Sequence, residues 1–441
     1  MLNELYQPTT KLKHTDLINL LVCIGTMLLV GRLFGEFFRK LKMPLVVGEL
    51  IAGVLLGPSL LGKYFPVLDE IVFTTKGNVG LVLNGITTIS VIMLLFVAGM
   101  EVELSVIRQQ GKTAFKASLV GLIIPMVLGF FAGKYFFSFL GETGTESSLT
   151  FCLFMGTAMA ISALPVIART LMDLDLFKTK IGMIIIAAAM FDDLIGWIMF
   201  SVILGMMHTG SDPYGSLYTL AYTLGFAIFM LSFGRVMINK SLPWAKRNLS
   251  WPGGVLAISL GLAFLGAAFT EKIGIHAIFG AFIVGITFGD SVHLNEKTRD
   301  IIHQFVTNIF APLFFVSVGF KLNFVQNFDF QIVLLVFGLA VVTKLLGAGL
   351  GALWGGLNFK ESVAVGFGMN ARGAMEILLG TLALDAHLIS PQLFVGLVIM
   401  AVVTSIMAGP MLQYLITGEM KVGVKLGEII KAVDREKETN N

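Results

Sequence analysis

The 441-residue sequence predicts an all-α polytopic membrane protein of about thirteen transmembrane helices, built in part as an inverted repeat. Three observations lead there. Hydrophobic residues make up 56% of the chain and charged residues 13%, against roughly 25% charged in a soluble globular domain. The apolar runs are continuous over about 19 residues, enough to cross roughly 30 Å of hydrocarbon as a helix, and they lack the period-two alternation of a β-barrel. Finally, the pattern G-x-x-I-x-G-x-x-x-G occurs twice, in "GELIAGVLLG" (48–57) and "GAFIVGITFG" (280–289).

In chain order the spans fall near 15–35, 44–61, 82–101, 115–139, 150–171, 181–207, 216–237, 253–271, 275–290, 301–320, 332–354, 362–384 and 392–416. Charge tests the count. With the N-terminus outside, the loops at Arg39/Lys40/Lys42, Arg108/Lys112/Lys116, Arg169/Lys178/Lys180, Arg235/Lys240/Lys246/Arg247, Lys297/Arg299 and Lys360, with the tail from Lys421 to Lys437, fall on one side. The outward loops "GETGTESS" and "HTGSDPYG" contain no Lys or Arg. The positive-inside rule therefore predicts N-terminus out and C-terminus in. The opening residues lack a cleavable signal pattern, so the first span is expected to be retained behind an external N-tail (1–14). Residues 417–441 read as a short cytoplasmic tail, a solvated helix rather than a regulatory domain. Cys23 and Cys152 each sit in an apolar helix and suggest neither disulfide nor zinc site. The net charge of +3 has no compact basic patch behind it, so no nucleic-acid partner is expected.

Glycines at the repeated spacing let helix backbones approach closely, which explains either copy alone. The copies lie on the second and ninth spans, however, an odd number of helices apart, and so cross the membrane in opposite directions. "GMEV" (99–102) and "GFKL" (319–322) end the third and tenth spans at the same offset. Inverted repeats of this kind are a signature of secondary transporters, with the substrate site near the midplane at broken helices.

Few ionisable residues lie within the spans: Asp192 and Asp193 on the sixth, Lys344 on the eleventh, Arg372 and Glu376 on the twelfth. Each is costly at the bilayer centre unless paired or facing a cavity. Neighbouring helical residues point about 100° apart, so one aspartate can face a partner while the other faces an ion path. Lys344 is the expected partner, as a structural ion pair or as a pair poised to change protonation when a cation arrives. The remaining carboxylate supplies what a site shared by H⁺ and a hard monovalent cation needs: oxygen ligands and net negative charge. In the fifth span, Pro165 of "GTAMAISALPVIARTL" removes a backbone donor and frees carbonyls near residues 161 and 162. That span is either an ordinary kinked helix or an unwound one in which Ser162 and free carbonyls act as ligands. On the twelfth, Asn370 neighbours Arg372, which can pair with Glu376 at i,i+4 and is expected to brace broken-helix dipole ends. His276 and Glu49 read as packing and local pairing.

At these residues the chain resembles the monovalent cation:proton antiporters, in the second of the two large branches of sodium/proton exchangers. The resemblance runs through "PLVVGELIAGVLLGPSLLG", "LLFVAGMEVEL", "AISALPVIART", "AAAMFDDLIGW", "IGIHAIFGAFIVG", "APLFFVSVGFKL", "TKLLGAGLGA" and "GMNARGAMEILLG". It implies an inverted-repeat antiporter fold with broken crossing helices, and an electrogenic exchange of Na⁺, or Li⁺ or K⁺, for protons that serves pH homeostasis. Asp193 would bind cation or proton and Asp192 would pair with Lys344, with Ser162 at the unwound crossover and Pro165, Asn370, Arg372 and Glu376 supporting the broken helices. It further implies a homodimer, in a bacterial inner membrane, in which a core bundle (about 115–207 and 332–416) moves against a dimerisation part (about 15–101 and 253–320) joined by a linker helix (about 216–237). No cofactor is expected beyond the transported ions. The double aspartate resembles the electrogenic members rather than the glutathione-gated K⁺ efflux systems, and gating through a nucleotide-binding domain is not expected.

Other classes fit less well. An intramembrane aspartyl protease needs two aspartates converging from separate helices, which adjacent residues cannot supply. A channel needs a continuous pore, and a sodium-coupled symporter has no need of an aspartate pair opposed by lysine.

Overall fold

Long apolar segments without water to satisfy their backbone must close their hydrogen bonds internally, and helices do so within one segment. A computed structural model describes residues 13–41, 43–65, 77–102, 111–140, 148–174, 176–177, 179–209, 215–250 and 252–417, and within these the chain is helical. The two tails expected at the ends, and the outward loops around 141–147 and 210–214, lie outside the described residues. Among the described residues, eleven helices are long and apolar enough to cross a membrane. The two other expected spans are the ninth, Ala277–Gly289, which has 13 residues, and the twelfth, which is two halves, Phe359–Gly368 and Ala374–Asp385. The chain is an all-helical polytopic membrane protein.

The helices overrun the expected spans. The first runs His14–Lys40, the tenth Glu296–Lys321, and the seventh continues through a π-helical turn (Met230–Gly234) and Arg235–Asn248. Arg39, Lys40, Lys112, Lys116, Arg169, Lys180, Arg235, Lys240, Lys246, Arg247, Lys297, Arg299 and Lys360 are expected in loops by charge and instead lie within helices, while Lys42, Arg108 and Lys178 lie outside the described residues. Where they lie in a last turn, as Arg39, Lys40, Lys246 and Arg247 do, positive charge complements the negative end of the helix dipole. Helices need not stop where hydrocarbon stops. Other ends carry local caps: the Asp329 carboxylate accepts from the N–H groups of Gln331 and Ile332, and Asn358 and Glu361 form a capping box at the start of the twelfth helix.

The repeat is visible in how the glycines meet. A Cβ on Gly53 of the second helix (Leu45–Leu56) would fall 2.9 Å from Gly319 Cα on the tenth. One on Gly285 of the ninth would fall 3.1 Å from Gly99 Cα on the third (Gly77–Met100). In the sequence alignment of the repeats Gly53 corresponds to Gly285 and Gly99 to Gly319, so one contact is the other turned over. Each motif helix thus packs on a helix of the opposite repeat. The fourth (Gly111–Tyr135) and eleventh (Phe330–Trp354), also seven apart, press together, a Cβ on Gly347 falling 3.1 Å from Gly121 Cα.

Packing sorts the helices into two groups. The first, second, third, eighth (Gly253–Lys272), ninth and tenth pack among themselves, as do the fourth, fifth, sixth (Lys180–Thr209), eleventh, twelfth and thirteenth (Pro391–Thr417). The seventh helix leans on the sixth through Gly215–Phe229, and on the eighth and ninth through its π-turn and Arg235–Asn248. That second part is pinned by a 2.5 Å ion pair from Arg235 to Asp290 and by the Ser291 hydroxyl donating to Asn239.

Candidate functional site

The fifth helix is two helices. Ser148–Ala160 ends, residues 161–163 are non-helical, and Leu164–Asp173 begins with Pro165 in its first turn. Proline there has no backbone donor to lose, since the first N–H groups of a helix have no intrahelical partner. Pro165 therefore starts a helix rather than kinking one. The twelfth helix breaks likewise at residues 369–373. The two breaks cross and touch: the Ala163 N–H donates to Ala371 O at 2.9 Å, and a Cβ on Gly373 would fall 2.7 Å from Val166 Cγ2.

A broken helix leaves carbonyls exposed at one end and N–H groups at the other, with the dipole charges to match. Cationic side chains meet the carbonyl end. Arg372 donates to Ala158 O and Met159 O, each at 2.5 Å, and Lys344 Nζ donates to Ala160 O. The freed carbonyls are thus at 158–160 rather than 161–162, because the helix stops a turn before Pro165, and they receive protein cations. Arg372 also lies 3.3 Å from Glu376. At the opposite end, Leu164, the first residue of the second half-helix, faces Asp193.

The two aspartates are treated differently. Both are buried on the sixth helix, which Gly196 lets close on the break: a Cβ there would fall 2.6 Å from Ile161 Cγ1. Asp192 Oδ1 accepts from Ser118 Oγ at 2.7 Å, and Asp192 Oδ2 accepts from Lys344 Nζ at 2.5 Å. Ser162 Oγ lies 3.1 Å from the same Oδ2 and 2.9 Å from Met369 O, and with one proton it donates to either. Lys344 Nζ places its three donors on Asp192, Ala160 O and Gly121 O. Asp193 Oδ1, by contrast, is buried with no hydrogen-bond partner among the described residues. The structure therefore brings Asp192, Lys344 and Ser162 into one network, and Asp193 beside it with a free oxygen.

Ser118 was not singled out from the sequence. Its only signal is a hydroxyl within an apolar span, and nothing local points it at a helix 74 positions away. His276 caps the ninth helix by accepting from the Ile278 N–H, and Glu49 is buried near the start of the second.

Buried, opposed charges at two crossing broken helices inside an inverted-repeat bundle define an ion-coupled membrane transporter. The sequence profile described as "Sodium/hydrogen exchanger, transmembrane" matches residues 25–418, and the chain belongs to this family of monovalent cation/proton antiporters, which are transporters and not enzymes. The chain is 32% identical over 400 residues to the Na(+)/H(+) antiporter NhaS4 of Synechocystis sp., covering 90% of this chain and 95% of that one. It is 32% identical over 419 residues to Cation/H(+) antiporter 17 of Arabidopsis thaliana, covering 93% of this chain but about half (50%) of that longer protein. In fold it is similar to the solved sodium proton antiporter MjNhaP1 of Methanocaldococcus jannaschii, with TM-score 0.64 and 19% identity over 91% of this chain and 98% of that one.

Proposed function

We propose that the chain exchanges a monovalent cation, Na⁺ ahead of Li⁺ and K⁺, for protons, electrogenically and by alternating access. The observation that carries this is the unequal state of the aspartates. Asp192 is saturated by donors, whereas Asp193 keeps an oxygen without a partner at the crossing of the broken helices. A lone buried carboxylate is costly unless neutralised, and either a proton or a cation on Asp193 does that. Loaded either way, the site can move; empty and charged, it is held back by desolvation, and exchange follows. Electrogenic exchange requires a charge carrier besides Asp193, and Lys344, held by Asp192, is the group at hand.

The fourth to sixth and eleventh to thirteenth helices would move as the core, and the first to third and eighth to tenth would form the stationary, dimer-forming part, with the seventh as linker. The separate packing of these groups supports that division. Basic helix ends on one side support N-terminus out and C-terminus in. Na⁺ is placed first because NhaS4, matched over nearly its whole length, is named for Na⁺.

The test is exchange in proteoliposomes under an imposed pH gradient with a pH-sensitive dye, adding Na⁺, Li⁺ or K⁺, with and without a valinomycin clamp. Cation-driven dequenching that disappears in Asp193→Asn is expected, and dependence on the clamp reports electrogenicity. Absence of a response to every cation, or full exchange by Asp193→Asn, would overturn the reading.

A further inference from the structure

Asp193 Oδ1 is not the only uncommitted polar group at the crossing. Asn370 lies in the break of the twelfth helix, fully buried, and neither its amide oxygen nor its amide nitrogen has a hydrogen-bond partner among the described residues. A buried amide so placed loses its hydration without compensation, and a native structure keeps such a group where something else will satisfy it. Its side chain gives the broken helices no hydrogen bond among the described residues: Ser162 Oγ, Arg372 and Lys344 make the side-chain bonds around the crossing.

Its place relative to Asp193 is set by one backbone tie and one hydroxyl. Ser162 Oγ spans from Asp192 Oδ2 to Met369 O at 3.1 and 2.9 Å. Asp193 and Asn370 are the next residues after the two groups that this hydroxyl joins. Next along the segment, the Ala163 N–H binds Ala371 O, the residue after Asn370. Ser162 and Ala163 thus tie the chain neighbours of both partnerless groups to one short unwound segment.

We propose that Asn370 is a ligand of the transported cation, its amide oxygen acting with the Asp193 carboxylate. This rests on the antiport reading above and adds to it the residue that supplies neutral coordination. Hard monovalent cations take oxygen ligands, and an amide oxygen offers one without a second negative charge in the membrane, which a third carboxylate would add. The amide NH₂ of the same side chain can hold a water of the cation's remaining shell. A proton on Asp193 has no use for this oxygen, so Asn370 bears on the cation half of the cycle and on the choice among Na⁺, Li⁺ and K⁺.

The experiment compares wild type with Asn370→Leu and Asn370→Asp, measuring exchange in proteoliposomes and thermal unfolding in detergent with and without Na⁺. Replacing an unsatisfied buried amide by an apolar group of similar shape is neutral or stabilising. Asn370→Leu should therefore keep or raise the cation-free Tm, lose the rise in Tm that Na⁺ gives the wild type, and raise the apparent KM for Na⁺ about tenfold, more than it lowers the maximal rate. Asn370→Asp retains the oxygen and should retain the Na⁺-dependent rise, with altered preference among the three cations. Unchanged KM and Na⁺-dependent Tm in Asn370→Leu would overturn the proposal. A lowered cation-free Tm together with an unaltered Na⁺ response and cation preference in Asn370→Asp would also overturn it, leaving Asn370 a packing residue. If Asn370→Leu does not insert, Asn370→Asp decides by the same criterion. Failure of the wild type to exchange any cation would instead fault the antiport reading.

Discussion

At Asp192 three side-chain donors converge, and at Asp193, the next residue, Oδ1 has no partner among the described residues. The difference predicts different mutant phenotypes. Asp192→Asn leaves the Lys344 ammonium buried beside two carbonyls without its counter-ion, and should destabilise the protein by about 3–5 kcal/mol, seen as a lower Tm in detergent. Lys344→Gln should do likewise, and the double variant should lose less than the sum of the two, because the residues share one interaction. Asp193→Asn should leave Tm within a few degrees and abolish exchange. The pH dependence has a definite sign: H⁺ and cation compete for one carboxylate, so the apparent KM for cation should rise about tenfold per unit as pH falls below the carboxylate's pKa, and be flat above it. Saturating cation should restore the maximal rate; a rate that stays low would show that protons act elsewhere. Sequence pattern suffices to suspect the aspartates, Lys344 and Arg372, since charge in hydrocarbon demands a reason. The pattern does not show that Ser118 completes the Asp192 site, because a lone serine in an apolar helix is unremarkable until its neighbour is known.

The second and ninth helices carry the same glycine pattern, and what each glycine meets decides its tolerance. Gly53 and Gly285 face backbone of the tenth and third helices, where an added Cβ has no flexible neighbour to displace. Gly53→Val and Gly285→Val should both lower Tm and monodispersity, each costing about 1–3 kcal/mol or more by overpacking, and to a similar degree because the contacts are related by the repeat. Gly338, on the eleventh helix, has nothing within 4 Å of an added Cβ. Gly338→Ala should stabilise by about 0.5–1 kcal/mol through helix propensity alone. Equal outcomes at Gly338 and Gly285 would contradict the packing described. The thirteen elements and the antiparallel repeat are legible in the sequence because apolar length and glycine spacing are local properties. Helix ends are less so, since the basic residues at 235–247 read as a loop by charge yet continue a helix that is pinned to Asp290 and Ser291.

The two packing groups touch between the sixth and ninth helices, as at Trp197 and Phe282, and at the C-terminal ends of the tenth and twelfth, where Lys321 Nζ lies 2.8 Å from Asp385 Oδ2. Lys321 belongs to the group proposed to stay still and Asp385 to the group proposed to move. If the groups shift against each other in every cycle, this pair must open. A Lys321→Cys/Asp385→Cys variant, oxidised to a disulfide, should stop exchange and recover it on reduction. Continued exchange while cross-linked, measured by the same dye assay, would show that transport needs no movement at this end.

The sequence by itself determined the membrane class, the spans, the turned-over repeat and the suspicion that falls on Asp192, Asp193, Lys344 and Arg372, because hydropathy, glycine spacing and charge in hydrocarbon are read along the chain. The tertiary structure alone decided which aspartate is committed and which is free, which carbonyls the break exposes, and that the Asn370 side chain has no partner among the described residues. Hydrogen-bond satisfaction depends on neighbours 30 to 223 positions away, and only folding brings those together.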